Sequence, residues 1–183
     1  RKKISLGFLF FSSIFVMVAP IYAVPVNLVI FNNPMLAADP GLRFTVEAFA
    51  GGIGKVDFLI KNSSTINSTI ARVYFEGDLF AGIAEIITEL GTHFSVNNPP
   101  DNLPDSKRLS PLFTPAFSIG SIPPPSKNGI DPGESITVKF NLHNGHTANE
   151  VISQLNSGNF RIGAHILSVG DEKTSVSAVT PEP

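Results

Sequence analysis

An all-β fold, an antiparallel β-sandwich of about seven strands with one short helix and a long proline-rich loop, is what this sequence predicts. Three observations carry that expectation. Gly and Pro stand at 15 residues each in 183, a balance that makes many turns and few long helices. Several short runs alternate apolar and polar residues with a period of two. Hydrophobic residues make up 43% of the chain, 15 of them Phe, against 15% charged residues. That is enough apolar surface for one substantial core.

The N-terminal 23 residues read differently from the rest. Arg1-Lys2-Lys3 is a positive start, Ile4 to Val18 is an apolar stretch, Ala19-Pro20 ends it, and Ala23 closes Ile21-Tyr22-Ala23. This three-part pattern predicts a signal peptide, cut after Ala23, with Ala37-Ala38 as the next small-residue site. Fifteen apolar residues are short for a membrane span of about 20. No Met precedes Arg1, so the expectation is that the first residue is missing. No twin-Arg motif is present, which points to the general export translocase and a signal peptidase as partners. The resulting organisation is residues 1–23 as leader, 24–42 as a linker or first strand, 43–169 as the sandwich, and 170–183 as a flexible tail.

Val26 to Phe31 is an apolar run, broken by Asn32-Asn33-Pro34. Phe44, Val46 and Ala48 alternate with Arg43, Thr45 and Glu47. Val56, Phe58 and Ile60 do the same beyond Gly51-Gly52-Ile53-Gly54, so a hairpin is predicted. Ile70 to Phe75 is a further strand, and Ile83 to Leu90 fits a strand or a short helix. Residues 97–133 hold nine prolines and are read as a surface loop crossing between sheets, since Pro is excluded from central strands and helix interiors. Asp131-Pro132-Gly133-Glu134 is a turn, with Pro setting φ and Gly allowing a positive φ. Ile136, Val138, Phe140 and Leu142 then alternate with Thr137, Lys139 and Asn141. Thr147 and Glu150 form a capping box opening a helix through Val151, Ile152 and Leu155. Phe160, Ile162, Ala164 and Ile166 read as the last strand.

Several function classes are disfavoured. Without residues 1–23, ten basic and fifteen acidic side chains remain, a net charge of −5. Lys107-Arg108 is the densest basic pair, so no stripe to neutralise nucleic-acid phosphates exists. Cysteine is absent, which removes disulfides, thiolate metal sites and Cys nucleophiles together. His143 and His146 are a close pair across a polar turn, without a third assignable ligand; solvated loop histidines are expected. His93 and His165 are isolated. No Gly-x-Ser-x-Gly elbow occurs, and Gly52-Ile53-Gly54 lacks the rest of a phosphate-binding loop. Glu85/Glu89 and Asp171/Glu172 are carboxylate pairs that a hydrolase would need in one cleft. Glu76-Gly77-Asp78 is read as a plain turn rather than a calcium loop. Asn62-Ser63-Ser64 and Asn67-Ser68-Thr69 match the N-glycosylation sequon, and are read as a polar loop. The expectation is a protein that is not an enzyme and carries no cofactor and no metal.

The chain ends Ala178-Val179-Thr180-Pro181-Glu182-Pro183. Pro-Glu-Pro after a polar stretch, behind an N-terminal leader, resembles the PEP-CTERM exported proteins of Gram-negative bacteria. The segments Ser68 to Gly77, Asp131 to Phe140 and Phe160 to His165 are similar to recurring strands of one β-rich group in that family. The resemblance touches most of residues 44–183. It implies a secreted or cell-surface protein, with Pro181, Glu182 and Pro183 as the sorting motif processed by an exosortase, and an association with extracellular polysaccharide. In that family a membrane helix and a basic cluster follow the tripeptide. The given chain stops before that point, and the expectation is a trimmed chain or a degenerate gene. Membrane contact would then come only through the leader or the missing anchor. The family implies no shared activity. A carbohydrate-binding or adhesive module is the competing expectation, weakened by the absence of Trp and by only two Tyr.

Overall fold

The structure, a computed structural model, describes residues 24–182. The leader, with Ala23, and Pro183 therefore lie outside the described residues. The fold is a β-sandwich of two antiparallel sheets, as the alternating runs predict. It holds eleven strands and three helices among the described residues, more than the seven strands and one helix expected. In chain order the strands are β1 (Val26–Asn27), β2 (Val29–Ile30), β3 (Phe44–Ala50), β4 (Lys55–Asn62), β5 (Thr69–Phe75), β6 (Phe80–Thr88), β7 (Phe94–Asn97), β8 (Phe117–Ser121), β9 (Ser135–Leu142), β10 (Ile162–Val169) and β11 (Thr174–Val179). The helices are α1 (Pro34–Ala37), α2 (Pro125–Asn128) and α3 (Ala148–Asn156). The sheets run β1-β3-β4-β9-β6 and β2-β11-β10-β5-β8-β7.

Local sequence explains most elements. β3 and β4 form the predicted hairpin, Phe44 opposite Asn62 and Ala50 opposite Val56. β6 resolves as a strand, paired with β9 and broken by two register shifts. Asp131-Pro132-Gly133-Glu134 makes a type II turn: the Glu134 N–H donates to the Asp131 carbonyl at 2.9 Å and Gly133 takes φ +93°. Thr147 caps α3 by accepting from the Glu150 N–H, and Val151, Ile152 and Leu155 face inward from it. Of the capping box only that half forms, because the Glu150 carboxylate turns to His146 instead.

The core lies between the sheets. Val46, Ala48, Val56, Phe58, Ile60, Val138 and Phe140 meet Val73, Phe75, Ile119, Ile162, Ala164 and Ile166, all with essentially no solvent exposure. Six rings interlock there: Phe58, Phe75, Phe80, Phe117, Phe140 and Phe160, with centroid distances from 4.5 to 6.3 Å and mostly tilted or edge-to-face contacts.

Two expectations are corrected. The stretch 170–183, expected as a flexible tail, carries a strand instead. Thr174–Val179 is β11, paired on one side with β10 and on the other with β2, and Val176, Ser177, Ala178, Val179 and Thr180 are buried. Its polar letters misled: Ser177 and Thr180 are buried serine and threonine, residues whose small side chains fit a pleated surface. The proline-rich segment is also more than a crossing loop. It contains β8, an interior strand between β5 and β7, at its longest proline-free run, Ala116 to Ile122. Leu103 and Phe113 of the same segment cover the outer face of the second sheet with Tyr74 and Val179. Gly163 lets them approach: a Cβ there would stand 2.9 Å from Leu103 and 3.1 Å from Phe113. Burial pushes the Tyr74 hydroxyl up to about 12, against the opposing pull of Arg72.

The run Val26 to Phe31 crosses from one sheet to the other. β1 pairs with β3, and two residues later β2 pairs with β11, with Leu28 buried between. Sheet edges are short or irregular: β1 and β2 have two residues, β7 has four, and β6 is bulged. Such edges resist pairing with other chains. Phe58→Ala, removing a ring that touches four others, is expected to lower stability by about 3–5 kcal/mol in urea denaturation, whereas Met35→Ala on the exposed α1 changes it by less than about 0.5.

Candidate functional site

The C-terminal residues sit where β11 leaves the sheet. Thr180 continues the ladder one step past the strand: its N–H donates to the Ile162 carbonyl at 2.9 Å, and its Oγ1 accepts from the Ile162 N–H at 3.0 Å. Pro181 has no N–H to extend the ladder. Pro181 and Glu182 are exposed as residues, yet the Glu182 carboxylate is bound to the body by Arg161.

Arg161 precedes β10, and its side chain is only 5% exposed. All five of its donors are used. Nε and Nη2 grip the two Glu76 oxygens at 2.6 and 2.8 Å. Nη1 donates to Glu182 at 2.6 Å and to the Pro111 carbonyl at 2.9 Å, and Nη2 also donates to the Leu112 carbonyl at 2.9 Å. The guanidinium lies 5.4 Å from the Phe113 ring centroid. Burial alone would lower the Arg161 pKa, but the bonds and charges of Glu76 and Glu182 outweigh it and hold it above the ordinary value. Glu76 also accepts from the Thr114 N–H at 2.7 Å. The turn Glu76-Gly77-Asp78 is thus a partner for an arginine, and one buried cation ties together the β5 end, the proline-rich segment and the C-terminal tail.

The opposite end of the sandwich carries loops. Three depressions of about 320, 430 and 340 Å³ meet there, all sharing Gly170 and Asp171 of the β10–β11 turn. Asn67, Thr69, Asp131 and Lys173 line the first, Asp39 and Thr65 the second, Asn33 and Met35 the third. Ser168 and Lys173 hold left-handed backbone, φ 54° and 51°, a conformation disfavoured for non-glycine residues and concentrated at functional loops. Thr69 donates to Asp131 and fixes that carboxylate. Asn62, one of the two sequon asparagines, is fully buried. Its amide donates to the Ser68 and Ile130 carbonyls at 2.9 and 3.1 Å, and its oxygen accepts from the Ser64 N–H. Asn67 is exposed.

The other candidates lie apart. Glu85 pairs with Lys139 at 3.1 Å, Glu89 accepts from the Ser135 hydroxyl, and His146 bonds Glu150 at 2.9 Å. Glu85 and Glu89 thus each hold a local partner on the outer face of the first sheet. Asp171 and Glu172 both border the third depression. Among the described residues no group of three or more His, Cys, Asp or Glu is placed to hold a metal, and no helix is long and apolar enough to cross a membrane. Neither a protein-family model, a curated protein nor a solved structure matches the chain.

Arg161 and Glu76 escaped sequence reasoning because their partners are 85 and 21 residues distant. Arg161→Met alone strands the Glu76 carboxylate and should cost about 3–5 kcal/mol in chemical denaturation. Glu182→Gln, which leaves the Arg161–Glu76 pair intact, should cost less than about 1 kcal/mol. His165, on β10 opposite Arg72, is held below its usual pKa by burial and then by the Arg72 charge. As pH falls through about 6.5, the unfolded chain takes a proton that the folded one refuses, so stability declines with acidity. His165→Gln is expected to flatten that decline in denaturation curves taken between pH 7 and 5.

Proposed function

We propose that this chain is a non-enzymatic domain exported to the surface or extracellular matrix of a Gram-negative bacterium, with Pro181, Glu182 and Pro183 as a sorting signal for an exosortase. The observation that carries the reading is where the first sheet strands begin. β1 starts at Val26, three residues past Ala23. A cut after Ala23 spares every described strand and helix. A cut at Ala37-Ala38 would remove β1, β2 and α1 and uncover both sheets. Of the two candidate cuts, the one after Ala23 is the one that leaves β1, β2 and α1 in place. At the other end a single residue, Thr180, separates β11 from Pro181. A cysteine-free aromatic core suits a chain that folds after export without an oxidising catalyst.

Expressed in a Gram-negative host, the precursor should appear in envelope or medium fractions with Val24 as its first residue, read by mass spectrometry. Ile14→Arg in the leader should leave it full-length in the cytosol. Precursor that stays intact and cytosolic without that substitution counts against the reading.

The confluence of three depressions, the first two lined largely by polar residues, favours a second reading, a module that binds hydroxyl-rich chains of extracellular polysaccharide at the loop end. Asn67, Thr65, Lys173, Asp131 and Asp171 supply both donors and acceptors there. Affinity electrophoresis through gels containing dextran or alginate, with and without Ca²⁺, should show retardation that Asp171→Ala and Asn67→Ala reduce. Unchanged mobility in every gel removes this reading.

A further inference from the structure

We infer that Arg161 is a latch for the C-terminal tripeptide: the folded domain holds Glu182 against its own body, and a processing enzyme reaches Pro181-Glu182-Pro183 only after that contact opens. The inference rests on the sorting reading for the enzyme and on the structure alone for the latch.

Its physical basis is the division of labour on one guanidinium. Glu76 takes two donors in a bidentate grip, which anchors the arginine permanently within the β5 end of the sheet. Glu182 takes one donor of Nη1, the other of which remains on the Pro111 carbonyl. Losing Glu182 leaves the arginine charge-paired and four of its five bonds made, so the tail contact is separable from the fold. The Arg161 side chain is 5% exposed, its partner on Glu76 16%, and that on Glu182 32%, so the tail carboxylate is the outermost and most replaceable of the three groups. Immediately upstream, Thr180 is buried and doubly bonded to Ile162. Between the Thr180 ladder and the Arg161 contact, Pro181 is pinned on both sides. A cleaving enzyme binds several extended residues around the bond it cuts, and docked residues become substrates only through local opening.

The test pairs two variants of the full exported chain. Arg161→Met with Glu76→Leu replaces the buried pair by apolar side chains, a change such pairs commonly tolerate, and it frees Glu182 while keeping the tripeptide. Glu182→Gln leaves the Arg161–Glu76 pair and keeps the measurement possible if the double variant fails to fold. In backbone ¹⁵N relaxation, the amide of residue 182 should be as rigid as the strands in the unmodified chain, with an order parameter near 0.85, and fall below about 0.6 in either variant. A mobile Glu182 in the unmodified chain overturns the latch. In exosortase-bearing cells the double variant should lose its tail roughly tenfold faster, the factor that one charge-assisted hydrogen bond corresponds to. Equal rates overturn the control of processing. If neither chain is processed, the sorting reading and the regulatory half of the inference fall together, and the relaxation result alone decides the latch.

Discussion

The sandwich depends on six phenylalanine rings packed between its sheets. Phe58 and Phe140 come from the first sheet's central strands β4 and β9, Phe75 and Phe117 from β5 and β8 of the second, and Phe80 from the edge strand β6. Phe160, just before β10, completes the set. With no cysteine in the chain, no covalent link ties the sheets. The rings carry that load, each contributing a large apolar area and a favourable tilted contact. Their positions also set the geometry of the Arg161 cluster. Phe160 is followed directly by Arg161 and presses on Gly77, beside Glu76. The aromatic cluster therefore holds the arginine and its permanent carboxylate partner in register, and through them the tail.

The two ends of the sandwich have different characters. At one, α3 packs against β3 and β4 and the Arg161 contacts lock the chain together. At the other, loops carry polar side chains around Gly170 and a backbone bent into left-handed conformations at Ser168 and Lys173. β10 and β11 run the full distance between them. Anything attached beyond the tripeptide leaves from the locked end, so the loop end with its depressions faces away from that attachment.

Period-two alternation made the architecture legible in the sequence wherever one strand face is buried and the other wet. That holds for β3 and β9, whose inward and outward residues follow the alternation. In the second sheet β5 and β10 were still legible as strands, but the cover that Leu103 and Phe113 lay over its outer face was not, and β11 hides behind serine and threonine. Covering by a distant, irregular segment leaves no local trace in the strand it covers. The same reason hid the arginine. Arg161 occupies a position that alternation assigns to solvent, and only the folded chain brings Glu76, Glu182 and two carbonyls of the proline-rich segment to it. The tripeptide was visible as letters, but its docking was not.

β2 and β11 pair with each other, Val29 opposite Val179, so the second sheet closes only when both ends of the folded chain are present. Contacts of this sequence separation form slowly, because the entropy of closing the whole chain is lost before the pairing is gained. A chain emerging from a ribosome cannot complete this sheet until its last strand is out. On the proposed export reading, that delay would give residues 1–23 time to engage a translocase before a stable core exists. The strand that closes the sheet is also the strand that carries the tripeptide. Completion of the fold and docking of Glu182 on Arg161 thus belong to one event, and the tail is held only once the domain is whole.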